Sequence, residues 1–107
     1  MTQDPLVLGI DLGTSGVRIA VIDSNCALLQ SESALYQIGL INPFDWREQC
    51  CTLIGRLKPD YRHRLKAIAV DGTSGTLLAC DQQGLPLAEA LPYSFACPNY
   101  VDQIQAL

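Results

Sequence analysis

The chain has 107 residues, 49% of them hydrophobic and 17% charged, with a net charge of −4. That length suits one small domain with a modest core rather than two domains. The acidic balance excludes a nucleic-acid partner, which needs a basic stripe, and no apolar run approaches the roughly 20 residues of a membrane-spanning helix.

The N-terminus, Met1-Thr2-Gln3-Asp4-Pro5, lacks the basic and apolar regions of a signal peptide. Residues 6–23 read LVLGIDLGTSGVRIAVID. Two runs rich in β-branched residues flank a Gly/Thr/Ser segment, which predicts a β-hairpin. Gly13 and Gly16 let a ligand approach the backbone N–H groups of the bend, and successive N–H groups of this kind form a concave anion site. Thr14 and Ser15 add donors, and Asp11 adds a carboxylate suited to a hydrated magnesium ion. Val17, Ile19 and Val21 give the second strand one apolar face.

Asp23-Ser24-Asn25 predicts a turn, with Asn25 tolerating the left-handed conformation. Residues 26–36 predict a third strand whose later part is polar, as at a sheet edge. Asn42-Pro43 starts a helix, with a capping amide followed by proline. Asp45 and Glu48 suit the dipole of its first turn, and Trp46, Cys50, Leu53, Ile54 and Leu57 share one face. Trp46 reads as a core anchor, and Lys58-Pro59-Asp60 as the stop. The cluster Arg62-His63-Arg64-Lys66 reads as a solvated loop, and His63, beside three cations, is assigned no role.

Residues 65–70 form an almost continuous apolar run, which suits a strand covered on both faces. The strand ends at Asp71-Gly72-Thr73-Ser74-Gly75-Thr76, a second acid followed by small hydroxyl residues. Ligands gather where parallel strands end, so both segments are expected to face one cleft if the first and fourth strands lie side by side. Asp71, Thr73 and Ser74 supply the short donors and acceptors that sugar hydroxyls want. Residues 77–87 predict a second hairpin turning at Gln82-Gln83-Gly84. Asn99 then caps a short helix bearing Tyr100, Val101, Ile104 and Leu107. The cysteines are Cys26, Cys50, Cys51, Cys80 and Cys97, odd in number and without C-x-x-C spacing. They read as reduced, mostly buried cytoplasmic thiols.

The pattern D-x-G-T-S-x-x-R, from Asp11 to Arg18, resembles the first phosphate motif of the sugar kinase, actin and heat-shock chaperone superfamily. In the form LGIDLGTSGVRIAVID it looks most like the FGGY carbohydrate kinases. Pro43-Phe44-Asp45-Trp46 resembles the element that opens their first helix, and D-x-x-G-x-P-L, from Asp81 to Leu87, resembles another of their segments. The G-T-S-G-T form at residues 72–76 is similar to that of ribulose and xylulose kinase-like members from photosynthetic organisms.

The resemblance implies an α/β fold: a partial ribonuclease-H-like domain of the actin-like ATPase superfamily, with a mixed sheet of order 3-2-1-4 and a projecting hairpin. It implies Gly13, Thr14, Ser15 and Arg18 at the phosphates of ATP, Asp11 at magnesium, and Asp71, Thr73 and Ser74 at a ketose. Where the family carries an acid and an arginine after the second hairpin, this chain has Tyr93-Ser94-Phe95-Ala96-Cys97, a departure at the sugar site. The adenosine pocket, the second phosphate loop and the aspartate that acts as general base belong to later parts of such enzymes. The expectation is therefore one incomplete N-terminal domain, residues 1–107, of an ATP-dependent sugar kinase, carrying no catalytic base and inactive alone. Two other readings stand beside it. One is a non-catalytic remnant that binds phosphate or self-associates through an unfinished core. The other is a piece of an acetate-kinase-like or chaperone ATPase, against which the segment at residues 81–87 and the helix opening both argue.

Overall fold

The structure is a computed structural model that describes residues 4–96 and 98–106. Strands β1 (Leu6–Leu12), β2 (Gly16–Ile22) and β3 (Leu28–Leu35) form an antiparallel meander. Helices α1 (Pro43–Gly55) and α2 (Pro59–Arg64) then carry the chain back to β4 (Leu65–Gly72), which lies parallel to β1. The strand order is β3-β2-β1-β4, as expected. A parallel neighbour requires a crossover of a dozen or more residues, and the two helices provide it.

The core lies on one face of the sheet. Leu6 and Leu8 of β1 and Val17, Ile19 and Val21 of β2 are buried there against Leu53 and Leu57. The alternation read in β2 is thus the core face. The buried face of α1 is rotated by one residue from the expected one: Asp45, Gln49 and Leu53 are buried, while Cys50 and Ile54 are half-buried beside the core. Trp46 is not a core anchor. It is half-buried, and its indole N–H donates to the Leu40 carbonyl at 2.7 Å, tying down the loop before the helix. The helix start matches the expectation, since the Asn42 side chain accepts from the N–H groups of Phe44 and Asp45.

Asp45 lies in the first turn of α1, as expected, and also holds the loop before it. Its Oδ2 accepts the Ile38 and Gly39 N–H groups at 2.6 and 3.0 Å, and its Oδ1 accepts the Gln49 amide at 3.1 Å. Burial alone would raise this carboxyl's pKa. The Ile38, Gly39 and Gln37 N–H groups and the Gln49 amide outweigh that, and the pKa sits below the ordinary carboxylate value.

Other expectations are corrected. The turn after β2 places Cys26, not Asn25, in the left-handed region, with φ 62°. The Asp23 carboxylate accepts the Asn25 and Ala27 N–H groups, which keeps Asn25 out of that position. The Lys58-Pro59 stop instead begins α2, because proline suits a first helical position. The basic cluster is therefore the end of a helix, with Arg64 bonded to the Asp4 carbonyl and Asp60. β4 is not sheathed: Ile68 is 59% and Val70 63% exposed, because α1 packs on β2 and β3.

The second hairpin is only an interrupted ladder, with bridges Leu77↔Leu91 and Cys80↔Pro86. Pro86 has no N–H to extend it. Its turn is nonetheless well held, with Asp81 Oδ1 accepting from Gln83 and Leu85 and with Gly84 at φ 81°. A short helical turn (Pro98–Tyr100) leads into α3 (Val101–Gln105), whose N-cap position is Tyr100. The expected cap side chain of Asn99, together with Cys97 and Leu107, lies outside the described residues. Cys26, Cys51 and Cys80 are exposed, contrary to the buried reading, and only Cys50 is half-buried. Burial pushes the Cys50 thiol up, helped by the neighbouring Cys51. Among the described residues no helix is long and apolar enough to cross a membrane.

Candidate functional site

The bend between β1 and β2 is closed by the Gly13 N–H donating to the Gly16 carbonyl at 2.8 Å. Neither glycine is needed for a left-handed conformation, since neither has a positive φ. Strand packing requires Gly16: a Cβ there would clash with the Ala34 carbonyl oxygen of β3. At the tip, the N–H groups of Thr14 and Ser15 donate to no acceptor among the described residues. Both residues are exposed. Unpaired, solvent-facing N–H groups in sequence are what an anion site requires.

Asp11 and Arg18 are register partners on β1 and β2, and Asp11 and Asp71 are register partners on β1 and β4. The three side chains therefore share the sheet face opposite the core. Arg18 Nη2 donates to Asp11 Oδ2 at 3.0 Å, with the two side chains 73% and 42% exposed. An exposed pair like this contributes about 1 kcal/mol at most, so its effect is to orient two charges rather than to hold the fold. Below them Gly9, Ala20, Ser31 and Ala69 form a floor of small residues across the four strands. That floor and the three charged groups line an open depression of about 730 Å³.

The ends of β1 and β4 frame a second cleft of about 410 Å³, lined by Asp11, Gly13, Thr14 and Arg18 on one side and Thr73 and Ser74 on the other. The two acid-glycine-hydroxyl segments do meet, because β1 and β4 are parallel neighbours in register. Ser15 does not line this cleft; it lines an adjoining hollow with Ser33 and Leu35. Asp71 lines the depression rather than the cleft, and its Oδ1 accepts the Gly72 N–H at 3.0 Å. The Thr73 hydroxyl is engaged with that of Thr76. The Ser74 hydroxyl has no hydrogen-bond partner among the described residues. Tyr93, which sequence reasoning did not assign to the site, closes the cleft wall. Gly75, at φ 75°, lets it come so near that a Cβ there would stand 3.0 Å from the Tyr93 Cβ. The available signal was the departure from the resembled pattern at residues 93–97.

Solved structures share this fold. A xylulose kinase from Rhodospirillum rubrum superposes with a TM-score of 0.77 at 17% identity, over 94% of this chain and 23% of that one. A gluconate kinase from Lactobacillus acidophilus gives 0.75 at 16%, over 97% and 23%. A glycerol kinase from Plasmodium falciparum, solved with ADP, gives 0.74 at 14%, over 96% and 23%. This chain has the fold of the N-terminal part of FGGY sugar kinases. It spans less than a quarter of the length of each of these kinases. No family model matches the sequence. In this sugar-kinase fold the meander and β4 are the elements that bring the two hydroxyl-bearing segments to one mouth.

The donor set fits magnesium only in part. Magnesium is usually held by one or two carboxylates, with phosphate oxygens and water completing its octahedron. Asp11 and Asp71 are adjacent carboxylates, and among the described residues no larger cluster of metal-ligating side chains forms. A magnesium ion here would need most of its ligands from a bound nucleotide and from water.

Proposed function

We propose that this chain is the phosphate-gripping N-terminal part of an ATP-dependent sugar kinase of the FGGY family, acting on a ketose of the ribulose or xylulose type. The observation that carries this reading is the unpaired N–H group of Thr14, set beside Arg18 and Asp11 and facing Ser74 across one cleft, with the unpaired Ser15 N–H in the adjoining hollow. The free N–H groups and the guanidinium would hold phosphate oxygens, and Asp11 would face the magnesium ion that accompanies them. Ser74, with its free hydroxyl, would meet a sugar hydroxyl, with Thr73 and Asp71 beside it. Bound magnesium would neutralise charge on the phosphates.

Phosphoryl transfer needs positioning and charge stabilisation from several sides of the phosphate. This cleft supplies one side. Lack of the general base alone forfeits about 10²–10⁴ in rate. The chain by itself is therefore a weak phosphate binder and not a kinase. Titration of the ¹⁵N-labelled chain with magnesium–ATP in the millimolar range tests this. Shifts confined to the amides of residues 13–18 and 72–75 are expected. Absence of shifts there, or shifts spread over the α1 side of the sheet, would overturn the reading.

One observation favours self-association as a second property of this chain. β4 is an edge strand that exposes Ile68 and Val70, and an open apolar edge invites pairing with another chain.

A further inference from the structure

Tyr36 follows directly after β3 and makes two contacts with the bend. Its backbone N–H donates to the Ser15 carbonyl at 2.9 Å, and its hydroxyl donates to the Gly13 carbonyl at 2.9 Å. The Gly16 carbonyl accepts from Gly13, and the Thr14 carbonyl has no partner among the described residues. Three of the bend's four carbonyls are thus drawn toward β3 and its own closing bond, while the Thr14 and Ser15 N–H groups remain without acceptors among the described residues. Peptide units are planar, so fixing a carbonyl fixes the N–H that follows it. The Gly13 carbonyl belongs to the same peptide unit as the Thr14 N–H.

Tyr36 is itself held. Its ring packs against the core, and two and three residues later the Ile38 and Gly39 N–H groups are bound by the buried Asp45 carboxylate. Burial, with Cys50, Asp45 and Asp11 nearby, raises the phenol's pKa, so it stays a donor across the physiological range. Gly16 completes the device. Without a Cβ it lets β3 pair up to Leu35, beside the bend, which brings Tyr36 within reach.

From this geometry we infer that Tyr36 is a positioning residue for phosphate binding: it never touches the phosphate, and by holding the Gly13 carbonyl it sets the orientation in which the Thr14 N–H meets it. The inference rests on the proposed phosphate site and adds a determinant of its affinity from outside the cleft.

The test compares the unmodified chain with Tyr36→Phe, which keeps the ring and deletes the hydroxyl. Both are titrated with magnesium–ATP and with tripolyphosphate, followed by the Thr14 and Ser15 amide signals. The expected result is a threefold to tenfold weaker affinity in Tyr36→Phe, the range that losing one net hydrogen bond gives. Faster hydrogen exchange at the Gly13 amide, whose bond to the Gly16 carbonyl closes the bend, is expected with it, against unchanged core amides such as those of Leu8 and Val21. Equal affinity and equal Gly13 amide exchange in a folded Tyr36→Phe would overturn the inference while leaving the phosphate site standing. No binding by the unmodified chain would instead overturn the site itself. A second measurement does not depend on the variant's folding. In the unmodified chain, the Tyr36 hydroxyl proton is expected to exchange slowly and to show a cross-relaxation peak to the Gly13 Hα. A hydroxyl in fast exchange without that peak refutes the inference.

Discussion

Cys26 occupies a left-handed position, φ 62°, in a turn held by the Asn25 and Ala27 N–H groups donating to the Asp23 carboxylate and by the Cys26 N–H donating to the Asp23 carbonyl. An ordinary side chain costs roughly 1–2 kcal/mol there, and glycine avoids that cost. Cys26→Gly is therefore expected to raise stability by about 1 kcal/mol, read as a higher urea midpoint at unchanged slope. A lower midpoint would mean that the thiol makes a stabilising contact. Asp45 gives a second prediction at this scale. Its folded pKa lies below the ordinary value of 3.8, so the unfolded chain binds the proton first as pH falls. Its stabilisation is therefore complete above the unfolded pKa and is lost as pH drops from about 5 through and below 4. Melting temperature should fall over that window. Asp45→Asn should be less stable at pH 7 and show a shallower acid limb. An equally steep limb in the variant would assign the acid sensitivity elsewhere.

At the scale of elements, β4 decides both what the chain can bind and what it risks. Its parallel pairing with β1 puts Asp71 beside Asp11 and brings Thr73 and Ser74 to the same mouth as Thr14. Its other edge has no partner in the sheet, and the Ile68 side chain is exposed. Natural sheets guard such edges with charge. The chain is expected to run as a dimer or larger in size-exclusion chromatography with light scattering. Ile68→Lys should shift it toward monomer without changing the far-ultraviolet circular dichroism. A monomeric parent chain would remove the basis for this prediction.

The whole molecule is long and thin, 63 × 29 × 26 Å, with a radius of gyration of 17.6 Å. A compact chain of this length would measure roughly 13 Å. The segment after β4 is tied back to the loop before α1 by the Ala90 N–H donating to the Ile41 carbonyl. Such a molecule has a cleft open on most sides, and a phosphate bound there stays in water, where electrostatic contacts are weak. Calorimetry at micromolar concentrations with magnesium–ATP should accordingly show negligible heat, and a coupled assay with xylulose or ribulose should show no turnover. Tight ATP binding or measurable turnover would contradict the incomplete-site reading.

The sequence alone determined the elements whose signals are local. Alternation marked the buried face of β2, Asn42-Pro43 marked the helix start, and the Gly/Thr/Ser run between two β-branched-rich runs marked the bend between β1 and β2. The expectation that Thr73 and Ser74 face that bend agrees with the cleft they line, whereas Asp71 lies outside it. The tertiary structure decided what depends on partners distant in the chain. It turned Asp45 inward, because the loop before α1 leaves backbone donors that need an acceptor. It left β4 bare, because α1 covers β2 and β3 instead. It assigned Gly16 to strand packing and gave Tyr36 two contacts with a bend more than twenty residues earlier. Periodicity and propensity describe a residue's neighbours in sequence. Which carbonyl a tyrosine reaches, and which face a helix leaves open, follow only once the strands have paired.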